Sequence, residues 1–414
     1  MQIANLLRRM SFQEWGGTET VVFNTARELL RDGHGARIFC TSALDRTGDE
    51  EVSGIRISRF GYSYPYFPLS KMRRRMLDKK GGNPFSPTLI RALETEKADV
   101  IHCHTMGHLA VQACRTARRA RIPFVMSLHG GALNVPEGEI REMCRPLEHS
   151  LNYGRLLDLV RFENFDPMSR ADGIVCVGYD EYRRAAAKFP EKNVIYLPNG
   201  VEPERFRTAP DPGFRRRYGI GREKFVVLCV SRIDYQKNQM QLLKMMKWLR
   251  GEMPDLHLLL VGPITATDYF ARMKAYIAEN ALEECVTIIP GFQPSSPELV
   301  AAYRCADLFV LPSRHEPFGI VVLEAWSAGL PVVAARVGGL EHLVRDGENG
   351  LAFDSADLNE LIEKIEVFNA EKIDGVWEQR LRIHYNCVGT IEIPTVLPLP
   401  IPEVSVNTRK GVVV

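Results

Sequence analysis

No apolar run in this 414-residue chain reaches the ~18 residues needed to cross a bilayer. The opening Met1-Gln2-Ile3-Ala4-Asn5-Leu6-Leu7 is too short for a secretion signal and reads as a first strand. An excess of one charge is also lacking. The 53 Lys and Arg face 51 Asp and Glu, a net of +2, which removes any global electrostatic case for binding nucleic acid and makes any basic site local. None of the nine cysteines forms a Cys-x-x-Cys pair, and several, such as Cys40 and Cys229, sit inside apolar runs. They read as buried thiols of a reducing compartment, which excludes a disulfide framework or a zinc ribbon. No period of roughly 20 to 50 residues recurs, so a solenoid is excluded. The expectation is a cytoplasmic protein, with peripheral membrane contact left open.

What the chain does contain is short apolar runs alternating with helix-period segments, the pattern of parallel sheets with helical crossovers. The first half predicts strands at Ile3–Leu7, Ala36–Thr41, Val100–His104, Phe124–Leu128, Gly173–Val177 and Val194–Leu197, and a helix from Thr18 to Arg31 that Gly33 stops. Residues 134–170 carry no strand signal and read as two helices. Pro198-Asn199-Gly200-Val201-Glu202-Pro203 breaks the alternation as a linker. A second series follows at Phe225–Val230, Leu256–Val261, Val286–Ile289, Leu308–Leu311, Val332–Ala335 and Gly350–Phe353. The reading is an α/β protein with an N-terminal domain over 1–198, a linker at 199–203, a second domain over 204–366 and an atypical tail at 367–414. In the tail, prolines and β-branched residues predict an extended or disordered segment, above all from Gly389 to Val414.

Several motifs sit where such sheets bind ligands. Pro312-Ser313-Arg314-His315-Glu316-Pro317-Phe318-Gly319-Ile320 leads from an apolar strand into a helix that carries Glu324. Gly319 lets a ligand approach the backbone, the helix's first N–H groups suit a diphosphate, and Glu316 and Glu324 can accept from sugar hydroxyls. Arg232 and Lys237, on the loop after the second half's first strand, can both point at one diphosphate. Trp15-Gly16-Gly17-Thr18 opens the first helix as a phosphate-binding turn would. Gly262 and Phe292 follow two further strands and leave room for a base and ribose. His129 follows a strand and precedes glycines, whereas His102, His104 and His108 lack an acid or thiolate spaced to complete a metal site and read as packing. The run Lys71–Lys80 and the arginines at 115, 118, 119 and 121 are solvated faces, or else meet an anionic acceptor or membrane surface.

The segment from Pro312 to Ala334 resembles the donor-sugar motif of the retaining glycosyltransferases of family 4, and the ordered set Gly17, His129, Arg232, Lys237, Glu316 and Glu324 agrees along about Met1–Glu366. The resemblance implies the GT-B architecture, two Rossmann-like domains facing each other across a cleft. It implies a metal-independent transferase moving a hexose-type sugar from a UDP- or GDP-linked donor to an unidentified acceptor, with no permanently bound cofactor. By it His129, Arg232, Lys237 and Glu316 are catalytic, and Gly16, Gly17, Gly262, Phe292, Pro317, Phe318, Gly319, Ile320 and Glu324 bind the donor, with Glu324 on the ribose. Members more often have glycine where Asn238 stands; a capping asparagine before a helix would make that a mild departure. Two alternatives stay open: another GT-B enzyme, such as a sugar phosphorylase or nucleotide-sugar epimerase, and a non-catalytic nucleotide-sugar-binding protein.

Overall fold

Each apolar run singled out above folds as a strand, and the strands assemble into two sheets belonging to separate units. A computed structural model describes residues 1–12, 15–130, 133, 135–154, 166–208, 211–292, 296–366, 372–373 and 376–377. The chain divides between Asn199 and Gly200 into two compact units. Apart from the paired Lys372–Ile373 and Val376–Trp377, the tail and the expectation for Gly389–Val414 lie outside the described residues.

In the first unit the strands are β1 (Gln2–Arg9), β2 (Gly35–Thr41), β3 (Gly48–Val52), β4 (Ile55–Phe60), β5 (Tyr66–Phe67), β6 (Val100–Cys103), β7 (Phe124–Leu128), β8 (Leu151–Asn152), β9 (Gly173–Cys176) and β10 (Asn193–Tyr196). Eight form one sheet in the order β10-β9-β7-β6-β1-β2-β4-β3, parallel except for the edge strand β3. Alternation in Ile55-Arg56-Ile57 buries both isoleucines, while Arg59, also buried, donates from Nε to Met10 O at 2.8 Å and from Nη1 to Glu50 at 2.6 Å. In the stretch 134–170 the helix Glu137–Cys144 agrees with the helical expectation, and a strand departs from it. That strand, Leu151–Asn152, pairs antiparallel with Tyr66–Phe67, a ribbon closed across more than eighty residues of chain.

The second unit holds β11 (Phe225–Val230), β12 (Leu256–Val261), β13 (Val286–Ile289), β14 (Leu308–Leu311), β15 (Val332–Ala335) and β16 (Leu351–Phe353), all parallel, in the order β13-β12-β11-β14-β15-β16. The central strands β11, β12, β14 and β15 are buried almost throughout, which explains their near-continuous apolar runs. Strand order reverses between β11 and β14. Open α/β sheets bind ligands at the carboxyl ends of the strands beside that reversal. In the first sheet the reversal falls between β1 and β6.

The helices that position functional groups are α1 (Gly17–Arg31), α2 (Lys71–Lys79), α3 (Tyr179–Lys188), α4 (Gln239–Leu249), α5 (Ile320–Ser327) and α6 (Gly339–Leu343). Pro203, expected in the linker, already starts a short helix whose Phe206 is buried in the second unit's core.

Candidate functional site

The loops leaving β11 and β14 carry the residues of strongest interest, and they are stitched together. Gln236 O accepts from Arg314 N at 2.8 Å, and Gln236 Nε2 donates to His315 O at 3.0 Å. Asp234, buried, accepts from Lys237 N at 3.1 Å and Thr265 Oγ1 at 3.1 Å, which holds the loop's curve. Arg232 Nη2 donates to Gln236 Oε1 at 3.0 Å and lies 3.5 Å from Asp234. Lys237 Nζ donates to the buried carboxylate of Glu316. An ammonium has three donors, so this contact leaves capacity for phosphate oxygens.

Asn238 departs from the expected role. Its side chain does not cap α4; it sits at φ 56°, ψ 34°, the left-handed region, and its amide donates to Gln241 Oε1 at 2.8 Å. Glycine is the usual occupant of such a position and asparagine one of the few tolerated substitutes.

Gly319, at φ 97°, is the N-cap of α5, a backbone conformation that side-chain-bearing residues rarely adopt. The turn from Glu316 to Phe318 is gripped from behind by Gly338 and Gly339. Gly339 N donates to Glu316 O at 2.7 Å, and a Cβ on Gly339 would overlap Pro317 O. Ile320 begins the helix and Phe318 is buried beneath it.

Glu324 stands apart from Glu316, further along α5. Half-buried, it accepts from Tyr303 Oη at 2.7 Å. Burial pushes its carboxyl pKa up, against the pull of the Tyr303 hydrogen bond and the Arg205 charge. Gly262 is needed for close packing: a Cβ there would overlap Ser231 O. The Phe292 ring packs edge-on to Phe214 and Tyr218, centroids 6.4 and 6.2 Å away.

In the first unit Gly16 caps α1 with its carbonyl accepting Thr20 N at 3.0 Å, and Gly17 is the first helical residue. Glu19, buried in the first turn, pairs with Arg9 at 3.3 Å. His129 extends β7, and the loop after it is held by Glu181 of α3, whose buried carboxylate accepts Gly130 N at 2.7 Å. Gly131 lies outside the described residues.

His104 is buried at the end of β6, as the packing reading expects, and is also hydrogen-bonded. Its Nδ1 lies 3.1 Å from His129 Nε2 and its Nε2 lies 3.4 Å from Asn5 Oδ1, so it belongs with His129. His102 Nε2 meets Ser127 Oγ at 2.7 Å, and its ring sits 4.0 Å from that of His104. Burial lowers the pKa of His102 and of His129 to about 4 and holds His104 well below the usual value, so all three are neutral at pH 7. His108 is separate, stacked on Phe85 with centroids 3.7 Å apart. Among the described residues no group of three or more His, Cys, Asp or Glu is placed to hold a metal ion, and no helix is long and apolar enough to cross a membrane.

The supporting contacts missed by sequence reasoning are those of His104, Asn5, Glu181, Tyr303, Gly338 and Gly339. Each acts from a distant part of the chain on a residue that was identified. Only the paired glycines carried a local signal.

Residues 15–205 match the model of Glycosyltransferase Family 4, and residues 211–386 that of Glycosyl transferases group 1. An uncharacterized glycosyltransferase of Methanocaldococcus jannaschii is 27% identical over 346 residues, 81% of this chain and 80% of its own. A GDP-mannose-dependent alpha-(1-6)-phosphatidylinositol monomannoside mannosyltransferase of Mycolicibacterium smegmatis is 35% identical over 192 residues, 44% of this chain; the match spans only 48% of that relative's length. Among solved structures, Anabaena HepE in complex with UDP and glucose superposes with a TM-score of 0.63 at 23% identity, covering 88% of each chain. With two family models matching along nearly the whole of 15–386, and with two parallel-sheet units of the matching architecture, the chain belongs to the glycosyltransferases of the family 4 type and has the GT-B fold.

Proposed function

We propose that the chain is a retaining hexosyltransferase that takes a sugar from a nucleotide diphosphate donor without a divalent metal. The observation that carries this reading is the Lys237–Glu316 pair at the reversal between β11 and β14, where one cation and one buried carboxylate can divide a sugar and its diphosphate between them. As the bond from sugar C1 to the diphosphate oxygen breaks, charge grows on the leaving group. Arg232, Lys237 and the first N–H groups of α5 stabilise it. The acceptor oxygen bonds to C1 on the same face, and its proton passes to the departing phosphate oxygen. Glu316 orients the sugar hydroxyls and Glu324 the ribose. His129 contacts a sugar hydroxyl, and the Gly16–Gly17 turn suits a phosphate.

The names of similar proteins mention both GDP-mannose and UDP with glucose, so the base is read by experiment. A thermal-shift panel of UDP, GDP and ADP with their sugars should yield one responsive pair. The product from that donor should keep its anomeric configuration by NMR, and EDTA should leave turnover unchanged. An inverted product would remove the retaining assignment, and donor consumption that needs no acceptor would favour an epimerase or hydrolase.

For the acceptor side the proposal is a cytoplasmic enzyme working against an anionic membrane. On α2, Met72, Arg75 and Met76 share one exposed face, and on the neighbouring ribbon Phe67 and Leu151, paired across the two strands, are 68% and 75% exposed. Arg73 Nη1 donates to Glu148 O at 2.9 Å, which ties that helix to the segment leading into β8. Apolar side chains ringed by cations suit a bilayer interface.

A further inference from the structure

We infer that Asn5 and His104 hold His129 in the tautomer protonated on Nε2, so that its Nδ1 lone pair accepts a hydrogen bond from a hydroxyl of the donor sugar. The sugar contact rests on the function proposed above; the tautomer rests on hydrogen-bond geometry and burial.

The chain of hydrogen bonds starts at a fixed point. Asn5 Nδ2 faces Arg37 O at 3.5 Å, and a carbonyl can only accept, so the amide must present Oδ1 to His104. That oxygen is itself only an acceptor, so His104 Nε2, at 3.4 Å, carries the proton. A neutral imidazole has one N–H, which leaves His104 Nδ1 bare. It accepts from His129 Nε2 at 3.1 Å, and His129 Nδ1 is then unprotonated. Burial keeps both rings neutral near pH 7. No described residue donates to His129 Nδ1.

Three separate pieces of chain build this relay. Asn5 lies on β1, His104 just past β6 and His129 just past β7, the central strands of the first sheet. The ring of His102 lies tilted against that of His104, centroids 4.0 Å apart, while the Ser127 hydroxyl at 2.7 Å occupies His102 Nε2. His104 is therefore a positioning residue: it touches no substrate but decides which nitrogen of His129 is a lone pair. An acceptor there selects a sugar carrying a free hydroxyl at the facing carbon over one that is deoxygenated or methylated at it.

The test is long-range ¹H–¹⁵N NMR of the full chain labelled with ¹⁵N-histidine at pH 7, with the signals assigned by His129→Gln. His129 should show a pyrrole-type Nε2 and a pyridine-type Nδ1. His104→Leu should leave a mixture of tautomers and lower turnover on the donor by up to about tenfold, the usual worth of one hydrogen bond. His104→Asn, which restores an acceptor near the Nδ1 position, should recover most of both. A His129 protonated on Nδ1 in the unaltered protein, or a His104→Leu variant with unchanged tautomer and turnover, overturns the relay. Full donor turnover in His129→Ala instead overturns the sugar contact and leaves the functional reading standing, whereas no turnover of any donor by the unaltered protein would overturn that reading.

Discussion

Lys237 and Glu324 both face the donor in the proposed chemistry, yet their surroundings assign them different work. Lys237 is paired with a buried carboxylate and meets charge that grows only as the glycosidic bond stretches. Glu324 is oriented by Tyr303 and would hold a ribose that does not change during the reaction. Lys237→Ala should therefore lower kcat by about 100-fold or more, and Glu324→Ala should chiefly raise the donor KM. Steady-state kinetics on both variants decides it, and identical effects on the two constants would sink the division. A second residue-scale expectation concerns acid stability. His257, buried on β12 with Nε2 at 2.9 Å from Thr287 Oγ1, has a pKa lowered by burial from 6.5 to about 4. Between those values the unfolded chain binds the proton and the native one does not. Stability thus rises with pH across that window and is lost as pH falls. His257→Gln should flatten the slope of unfolding free energy there by about 1.4 kcal/mol per pH unit, as read by urea titrations at pH 6.5, 5.5 and 4.5. An unchanged slope would mean that His257 is already protonated in the folded protein.

Elements differ in how plainly they could be read beforehand. The central strands of both sheets were legible because burial on two faces demands continuous apolar runs such as Phe225–Val230. The edge strand β3 was not: Gly48-Asp49-Glu50-Glu51-Val52 is exposed almost throughout and sends only Val52 to the core. The β5–β8 ribbon escaped because its partners are remote in sequence, which no local period records. The same limit applies to the site. The Glu316–Gly319 turn announces itself, whereas its support by Gly338 and Gly339 exists only once α6 has packed. Of the basic run, α2 was legible as a charged face but not in its division of labour. Arg73 is spent on Glu148 O and Arg74 on the Tyr62 ring, 4.7 Å from its centroid, while Arg75 and Lys71 point outward with Met72 and Met76. Changing Lys71 and Arg75 to Ser should weaken binding to vesicles with anionic lipid by roughly 30-fold, from about 1 kcal/mol per cation. Met72→Ser with Met76→Ser should weaken it further at high salt. Equal sedimentation of wild type and both variants would remove α2 from any membrane contact.

At the scale of the whole molecule, each unit owns its core. The largest cluster runs from Phe206 to Ile365 and includes no residue of the first unit, while two smaller clusters fill the N-terminal one. The sequence from Leu197 to Glu202 between them has no regular structure. Two cores joined by so short a connection should not melt as one. Calorimetry of the full chain should resolve two transitions. The nucleotide-binding residues proposed here are concentrated in the second unit, because Arg232, Lys237, Gly262 and Glu324 all follow its strands. A saturating nucleoside diphosphate should then raise the second unit's transition, by about 2.7 kcal/mol at 100 times its dissociation constant, and move the other far less. The transitions are assigned by isolating residues 1–199 and 200–366. A nucleotide that stabilised only the N-terminal fragment would place the diphosphate at Gly16–Gly17 and overturn the assignment of the donor to the loops after β11 and β14.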